Sequence, residues 1–194
     1  MNLTQSTTNE IKITADESLF KCLSLEEKTK KIHFTCYRRG NLFFRIDSND
    51  VAISIDLSSQ QLETLHVGGL STISSDALLL DKEFTLDLYG ISKADLNINA
   101  PKVRVDLSGI SALTLATQSE AVQLEVGGIS KVDVRGSTAK LEVMTSSIGK
   151  LDASALAAEK AYLDASGISE IIVNAKEMVT SKSSGISSIK NIRE

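Results

Sequence analysis

A Gly-Ile-Ser tripeptide returns along this chain at a nearly constant interval, and no other feature narrows the fold so far. Copies begin at Gly90, Gly109, Gly128, Gly167 and Gly185, with a Gly-Leu-Ser at Gly69 and a rearranged Ser-Ile-Gly at Ser147. Successive copies stand 21, 19, 19, 19, 20 and 18 residues apart. Ser147 belongs to the series through its flanks: Thr145-Ser146-Ser147-Ile148-Gly149-Lys150-Leu151 matches Val126-Gly127-Gly128-Ile129-Ser130-Lys131-Val132 around a fixed Ile. Self-similarity at a fixed period marks architectures in which each repeat packs mainly on its neighbours.

The flanks carry a second regularity. Four and two residues before the tripeptide stand Leu65/Val67, Leu86/Leu88, Val105/Leu107, Leu124/Val126, Val143/Thr145, Leu163/Ala165 and Ser181/Ser183, with polar residues between them. That period of two predicts short strands with one buried face. About 19 residues suit three short strands per repeat, wound into a coil. The expected fold class is therefore all-β, a right-handed parallel β-helix of about six to seven coils with three short strands per coil. The asparagine ladder of leucine-rich repeats is missing, and a helical pattern is only weakly suggested, over 153–161.

In such a coil Gly69, Gly90, Gly109, Gly128, Ser147, Gly167 and Gly185 are expected to be structural corners, with glycine supplying a backbone conformation that other residues enter under strain. The serine hydroxyl closes the bend, which explains the tripeptide without any ligand. The column Leu70, Ile91, Ile110, Ile129, Ile148, Ile168 and Ile186 is expected to stack as a core column. Ile129→Asp should then unfold the chain and Ser130→Ala should hardly change it. Further inward columns are Ile73, Ala94, Leu113, Val132, Leu151, Ile171 and Ile189, then Leu96, Leu115, Val134, Ala153 and Val173.

Composition agrees with thin, similar layers: of 194 residues 42% are hydrophobic but only 4% aromatic, and there is no Trp. Four of the five Phe fall within residues 1–60, which lack the repeat and show strand-like runs at 32–37, 42–46 and 51–57. This segment is expected to be a strand-rich cap with the first irregular coils, and 61–194 the repeat region of one structural domain. A β-helix end exposes a sheet edge that needs covering. Ser24-Leu25-Glu26-Glu27 has the form of a capping box opening a short helix, though no apolar stripe follows it. Cys22 and Cys36 read as two reduced thiols, with one bridge across a hairpin as the alternative.

The formal charge of −4 argues against a nucleic-acid partner, which requires a basic face. No window approaches a membrane span, and the first ten residues have neither the basic start nor the apolar run of a signal peptide. A cytoplasmic chain or a trimmed, mature one is expected. No Ser-His-Asp set, P-loop or Cys-x-x-Cys occurs, and repeats of 18 to 21 residues leave no room for loops that would build a catalytic cleft. The chain is therefore expected not to be an enzyme and to use no cofactor and no metal.

The units of the form Leu-x-Val-x-Gly-Ile-Ser-x-Val, clearest around Ala100-Pro101-Lys102-Val103-Arg104-Val105-Asp106-Leu107-Ser108-Gly109, resemble the putative auto-transporter adhesin, head GIN domain family of bacterial proteins. The resemblance covers about residues 60–190, with Ile in place of the corner's small middle residue. It implies a right-handed β-helix, usually exported to the periplasm, outer membrane or cell surface, with no established enzymatic activity. The implied role is adhesin-like binding in the bacterial cell envelope, to a surface component or a glycan. The residues also leave open a cytoplasmic scaffold assembling through its β-helix ends or faces, as bactofilins do, and, more remotely, a small glycan-active enzyme.

The candidate binding features are two polar columns, one of which, five residues after the corners, reads Ser74, Asp95, Thr114, Asp133, Asp152, Ile172 and Lys190. Three residues before the corners, an outward acidic column of Asp87, Asp106, Glu125 and Asp164 runs between His66 and Lys182. Stacked carboxylates repel by about 1 kcal/mol per pair in water, so such a column suits a cation or sugar hydroxyls. A solvated face balanced by Lys93, Lys131 and Lys150 is the plainer alternative.

Overall fold

The computed structural model describes residues 1–5, 10–14, 23–28, 31–36, 54–59 and 62–193, with side chains for 1–5 and 62–193. Over 62–193 the chain winds as a parallel β-solenoid of about seven turns. Coil 1 contains β6 (Thr64–Leu79) and coil 2 contains β7 (Phe84–Asn99). The ladder then continues without interruption through β8 (Lys102–Ser183) and ends in β9 (Ser188–Asn191). The 82 residues of β8 are no single rod, because the chain pairs with itself one coil further on. Thus Ser184 N–H donates to the Ala165 carbonyl at 2.8 Å and Ile186 N–H to that of Gly167 at 2.9 Å.

Register follows the repeat read from the sequence. Gly69 pairs with Gly90 and Gly90 with Gly109, while Leu65, Leu86 and Val105 stack in one column. Inside lie the paired columns before each corner and the two after it, including Leu113, Val132, Leu151 and Ile171, all at most 2% exposed. A further inward column escaped the sequence reading: Phe84, Val103, Val122, Leu141 and Ala161, six residues before each corner and at most 1% exposed. The interior narrows along the axis, from Leu86/Leu88 through Leu163/Ala165 to the exposed Ser181/Ser183.

One expected column is corrected. Leu70, Ile91, Ile110, Ile129, Ile148, Ile168 and Ile186 do not form core: each is between 52% and 88% exposed. In four coils the residue after the Ile is buried instead, with Ser92, Ser111, Ser130 and Ser169 at 5% or 6%. The physical reason is parity, which the bend at the glycine leaves intact. Gly128 has φ of 74°, and a Cβ there would lie 2.1 Å from the Gly109 carbonyl oxygen. This left-handed residue bends the strand without breaking its alternation: residues one and three from the corner point outward and those two and four from it point inward, so the Ile falls outside and the serine after it turns in. The expectation that Ile129→Asp unfolds the chain falls with the column.

Serine is tolerated inside because it closes the bend. Ser71, Ser130 and Ser187 Oγ donate to the carbonyls of Gly68, Gly127 and Ser184, three residues back, at 2.9, 2.8 and 2.7 Å. Ser92 and Ser111 Oγ are buried without a hydrogen-bond partner. In coil 5 the glycine requirement moves two residues on, since a Cβ on Gly149 would meet the Ser130 carbonyl oxygen at 1.9 Å. There Ser147 is the buried serine, and Ile148 stays outside at 54% exposure.

At the N-terminus β1 (Asn2–Gln5) lies parallel to both β5 (Ser54–Ser59) and β6, and β2 (Glu10–Thr14) pairs antiparallel with β5. Leu3, 1% exposed, joins the interior. β3 (Leu23–Lys28) and β4 (Lys31–Cys36) form a separate antiparallel pair. Residues 24–27 therefore lie in a strand, not in a capped helix. The run at 42–46 lies outside the described residues, as does Cys22 and with it the question of a bridge to Cys36.

Candidate binding face

Four outward lanes run along the solenoid around the glycine corner. Three residues before it is the lane of His66, Asp87, Asp106, Glu125, Met144, Asp164 and Lys182. One residue before stand small side chains, Ser108, Gly127, Ser146, Ser166 and Ser184, with Tyr89 at the N-terminal end. One residue after is the aliphatic ridge of Leu70 and the six isoleucines. Three residues after are Thr72, Lys93, Ala112, Lys131, Lys150, Glu170 and Ser188. Tyr89 lies over Gly68, where an added Cβ would be 1.8 Å from the ring. Beyond it the small-residue lane is open.

The predicted acidic column is brought together in part. His66, Asp87 and Asp106 are stacked in register, with His66 Nδ1 on the Asp87 carboxylate. Arg104 Nη2 reaches Glu125 Oε1 at 2.7 Å and Gln123 Nε2 donates to the same oxygen at 3.1 Å. Met144 separates Glu125 from Asp164, so the acids form a run of three and one apart. Partial burial, then the charges of Glu125 and Asp87, push the Asp106 carboxyl above its ordinary value, against the opposing effect of Arg104. Among the described residues Asp106 and Asp164 have no ion-pair partner in their own chain, and on the other flank neither has Lys93.

Between the acids and the corner lies a shallow depression of about 430 Å³, lined by Asp106, Ser108, Glu125, Met144, Ser146 and Asp164. Across the ridge Lys131 meets Asp133 at 3.5 Å, and Lys150 meets Glu170 at 3.3 Å and Asp152 at 3.8 Å. The Ser154 hydroxyl and backbone N–H hold the Asp152 carboxyl below its ordinary value, with help from Lys150. A second, more open groove of about 670 Å³ includes Asn99, Pro101, Gln118, Glu120, Thr138 and Glu159.

Among the described residues no three His, Cys, Asp or Glu side chains converge closely enough to hold a metal ion. The lanes offer carboxylate acceptors, hydroxyls and a strip of aliphatic surface, which suits association. Sequence reasoning missed the ridge, although a signal was present. The ridge position and the inward position after it are three residues apart, and in a period-two strand both cannot face the same way.

A family model described as "Putative auto-transporter adhesin, head GIN domain" matches residues 1–192, so the match includes the N-terminal segment that lacks the repeat. The crystal structure of a putative lipid binding protein from Parabacteroides distasonis is similar, with a TM-score of 0.75 at 18% identity over 99% of this chain and 88% of that one. The crystal structure of a putative adhesin from Bacteroides fragilis gives a TM-score of 0.73 at 16% identity over 98% and 87%. At these identities the likeness is one of fold. No curated protein matches the chain by sequence. No helix among the described residues is long and apolar enough to cross a membrane.

Proposed function

The chain belongs to the putative auto-transporter adhesin, head GIN domain family; from that premise we propose that it is a non-enzymatic, surface-binding module of the bacterial cell envelope. Its contact face is the strip around the glycine corners, where acidic, small and aliphatic lanes lie side by side. The observation that carries this reading is the ridge. Seven coils each place an aliphatic side chain outward at the same position, at least half exposed. Scattered exposed apolar residues are ordinary, but an unbroken strip of them marks an interaction surface.

The acidic lane supplies direction: Asp106, Glu125 and Asp164 border the depression beside the ridge and accept hydrogen bonds from hydroxyl or amine donors of an envelope component. The test is retention on isolated envelope fragments and on a glycan array. Wild type is expected to bind, and Asp106→Ala with Glu125→Ala to lose most of that binding while unfolding at a temperature no lower than wild type. Equal retention of both proteins would clear the acidic lane of a role, and no retention of either would remove the surface-binding reading.

A further inference from the structure

We infer that this strip is self-complementary and that its partner is a second copy of the chain, docked about a twofold axis parallel to the solenoid axis. The inference rests on the surface-binding reading above and names the occupant of the same face. Three observations lead to it. The first is pitch. The ridge repeats with the coil spacing of about 4.8 Å over about 29 Å. A helix advances 5.4 Å per turn and a strand about 6.7 Å between same-face residues, so either drifts out of step within a few coils. A second solenoid keeps step throughout.

The second is the order of the lanes. Counted from the corner, the outward positions read acid at −3, small at −1, aliphatic at +1 and lysine-bearing at +3. A twofold axis parallel to the solenoid axis, passing in front of the corner glycines, sets each position against its opposite number on the other copy. Aliphatic side chains then meet small ones from the coil of Gly109 onward, and of the acids Asp87 meets Lys93 and Glu125 meets Lys131, twice over, as an isologous contact requires. An antiparallel arrangement would set aliphatic on aliphatic and acid on acid.

The third is charge. Lys93 lacks an ion-pair partner within its own chain among the described residues, while Glu125 and Lys131 hold exposed partners in Arg104 and Asp133. The axis places Glu125 level with the partner copy's lysine at the +3 position of the same coil, and Lys93 within one coil of Asp106. Glu170, held by Lys150 at 3.3 Å, is the like charge that falls opposite Asp164. Charge complementarity of this kind fixes register more than it adds affinity. Four lanes by seven coils cover roughly 600 Å² per copy, at the lower end of specific interfaces. The dimer is accordingly weak, with Kd on the order of 10 μM.

Analytical ultracentrifugation over about two decades around that concentration tests the inference. Wild type is expected to show a monomer–dimer equilibrium, and Ile110→Asp/Ile129→Asp to remain monomeric at an unchanged melting temperature. Glu125→Lys alone and Lys131→Glu alone should each weaken the dimer at least about tenfold. An equimolar mixture of those two should recover it, because the parallel twofold pairs each changed residue with its changed counterpart. A wild type that stays monomeric, a dimer indifferent to the isoleucine changes, or a mixture no tighter than either variant alone would overturn the inference. So would binding of the monomer to phosphatidylcholine vesicles through the same isoleucines. Envelope binding that survives in a strictly monomeric chain would leave the surface-binding reading standing while this one falls.

Discussion

Ile129 and Ile171 are the same residue type in the same repeat, repeated at the same pitch, yet one is 53% exposed and the other wholly buried. Both belong to continuous aliphatic columns. The interior columns fill a narrowing core, whereas the ridge lies outside the bend and touches only its own neighbours. The difference teaches that repetition fixes spacing, and that the parity of the backbone decides what each repeated residue is for. The left-handed glycine bends each coil without changing that parity, which changes at the second bend, as between the buried Thr138 and Leu141.

The sharpest way to break the comparison is to place the same charge in both columns. Ile171→Asp buries an unpaired carboxylate and should cost about 4 kcal/mol or more, enough to unfold a domain of ordinary stability. Ile129→Asp should stay within about 0.5 kcal/mol. Urea denaturation of the two variants decides, and equal losses would place Ile129 in the core.

Next in size is the bend itself. Gly128→Ala forces a Cβ to within 2.1 Å of the Gly109 carbonyl oxygen at a φ of 74°. The expected cost is at least about 2 kcal/mol. A loss below about 0.5 kcal/mol would show that the coil relaxes there and that the bend is not tied to glycine.

Smaller effects separate the serines. Ser130→Ala removes the bond to the Gly127 carbonyl and should cost about 1 kcal/mol, while Ser111→Ala removes a buried hydroxyl without a partner and should be neutral or stabilising. Reversal of that order in thermal unfolding would remove the bend-closing role from the serine.

The smallest effect belongs to the acidic lane. The folded state holds the Asp106 proton more tightly than the unfolded chain does, so stability falls as pH rises from the ordinary value of 3.8 through the raised one. Asp106→Asn should therefore melt slightly higher than wild type at neutral pH, with the gap closing on acidification to about pH 3. A gap that widens on acidification would mean that the carboxylate stabilises the folded chain.

Much of the solenoid was legible in the sequence. The interval of the tripeptide set the coil length and the alternation of Leu65/Val67 and its equivalents set the strands; Gly69, Gly90 and Gly109 do pair at the corners. The direction of the isoleucines was legible in the same alternation, since they stand an odd number of residues from the buried columns on either side and the bend at the tripeptide does not interrupt the period of two. The column headed by Phe84 was not legible, since its neighbours at the second bend share no repeated tripeptide. The place of Asn2–Gln5 on the edge of coil 1 depends on contacts more than 70 residues away, such as Met1 N to Thr72 O at 2.7 Å, for which no local signal exists. The acidic column was legible, its interruption at Met144 included, but not the anchoring of Glu125 by Arg104.

The most direct measurement compares two adjacent residues. In a chain with Cys22 and Cys36 replaced by Ser, Ile129→Cys and Ser130→Cys are labelled separately with a maleimide under native conditions, at submicromolar concentration so that no dimer covers the ridge. The structure predicts that the thiol at 129 reacts as fast as a free thiol and that the thiol at 130 reacts only on unfolding. Equal rates, or faster labelling at 130, would show that the isoleucines face inward and that the ridge does not exist.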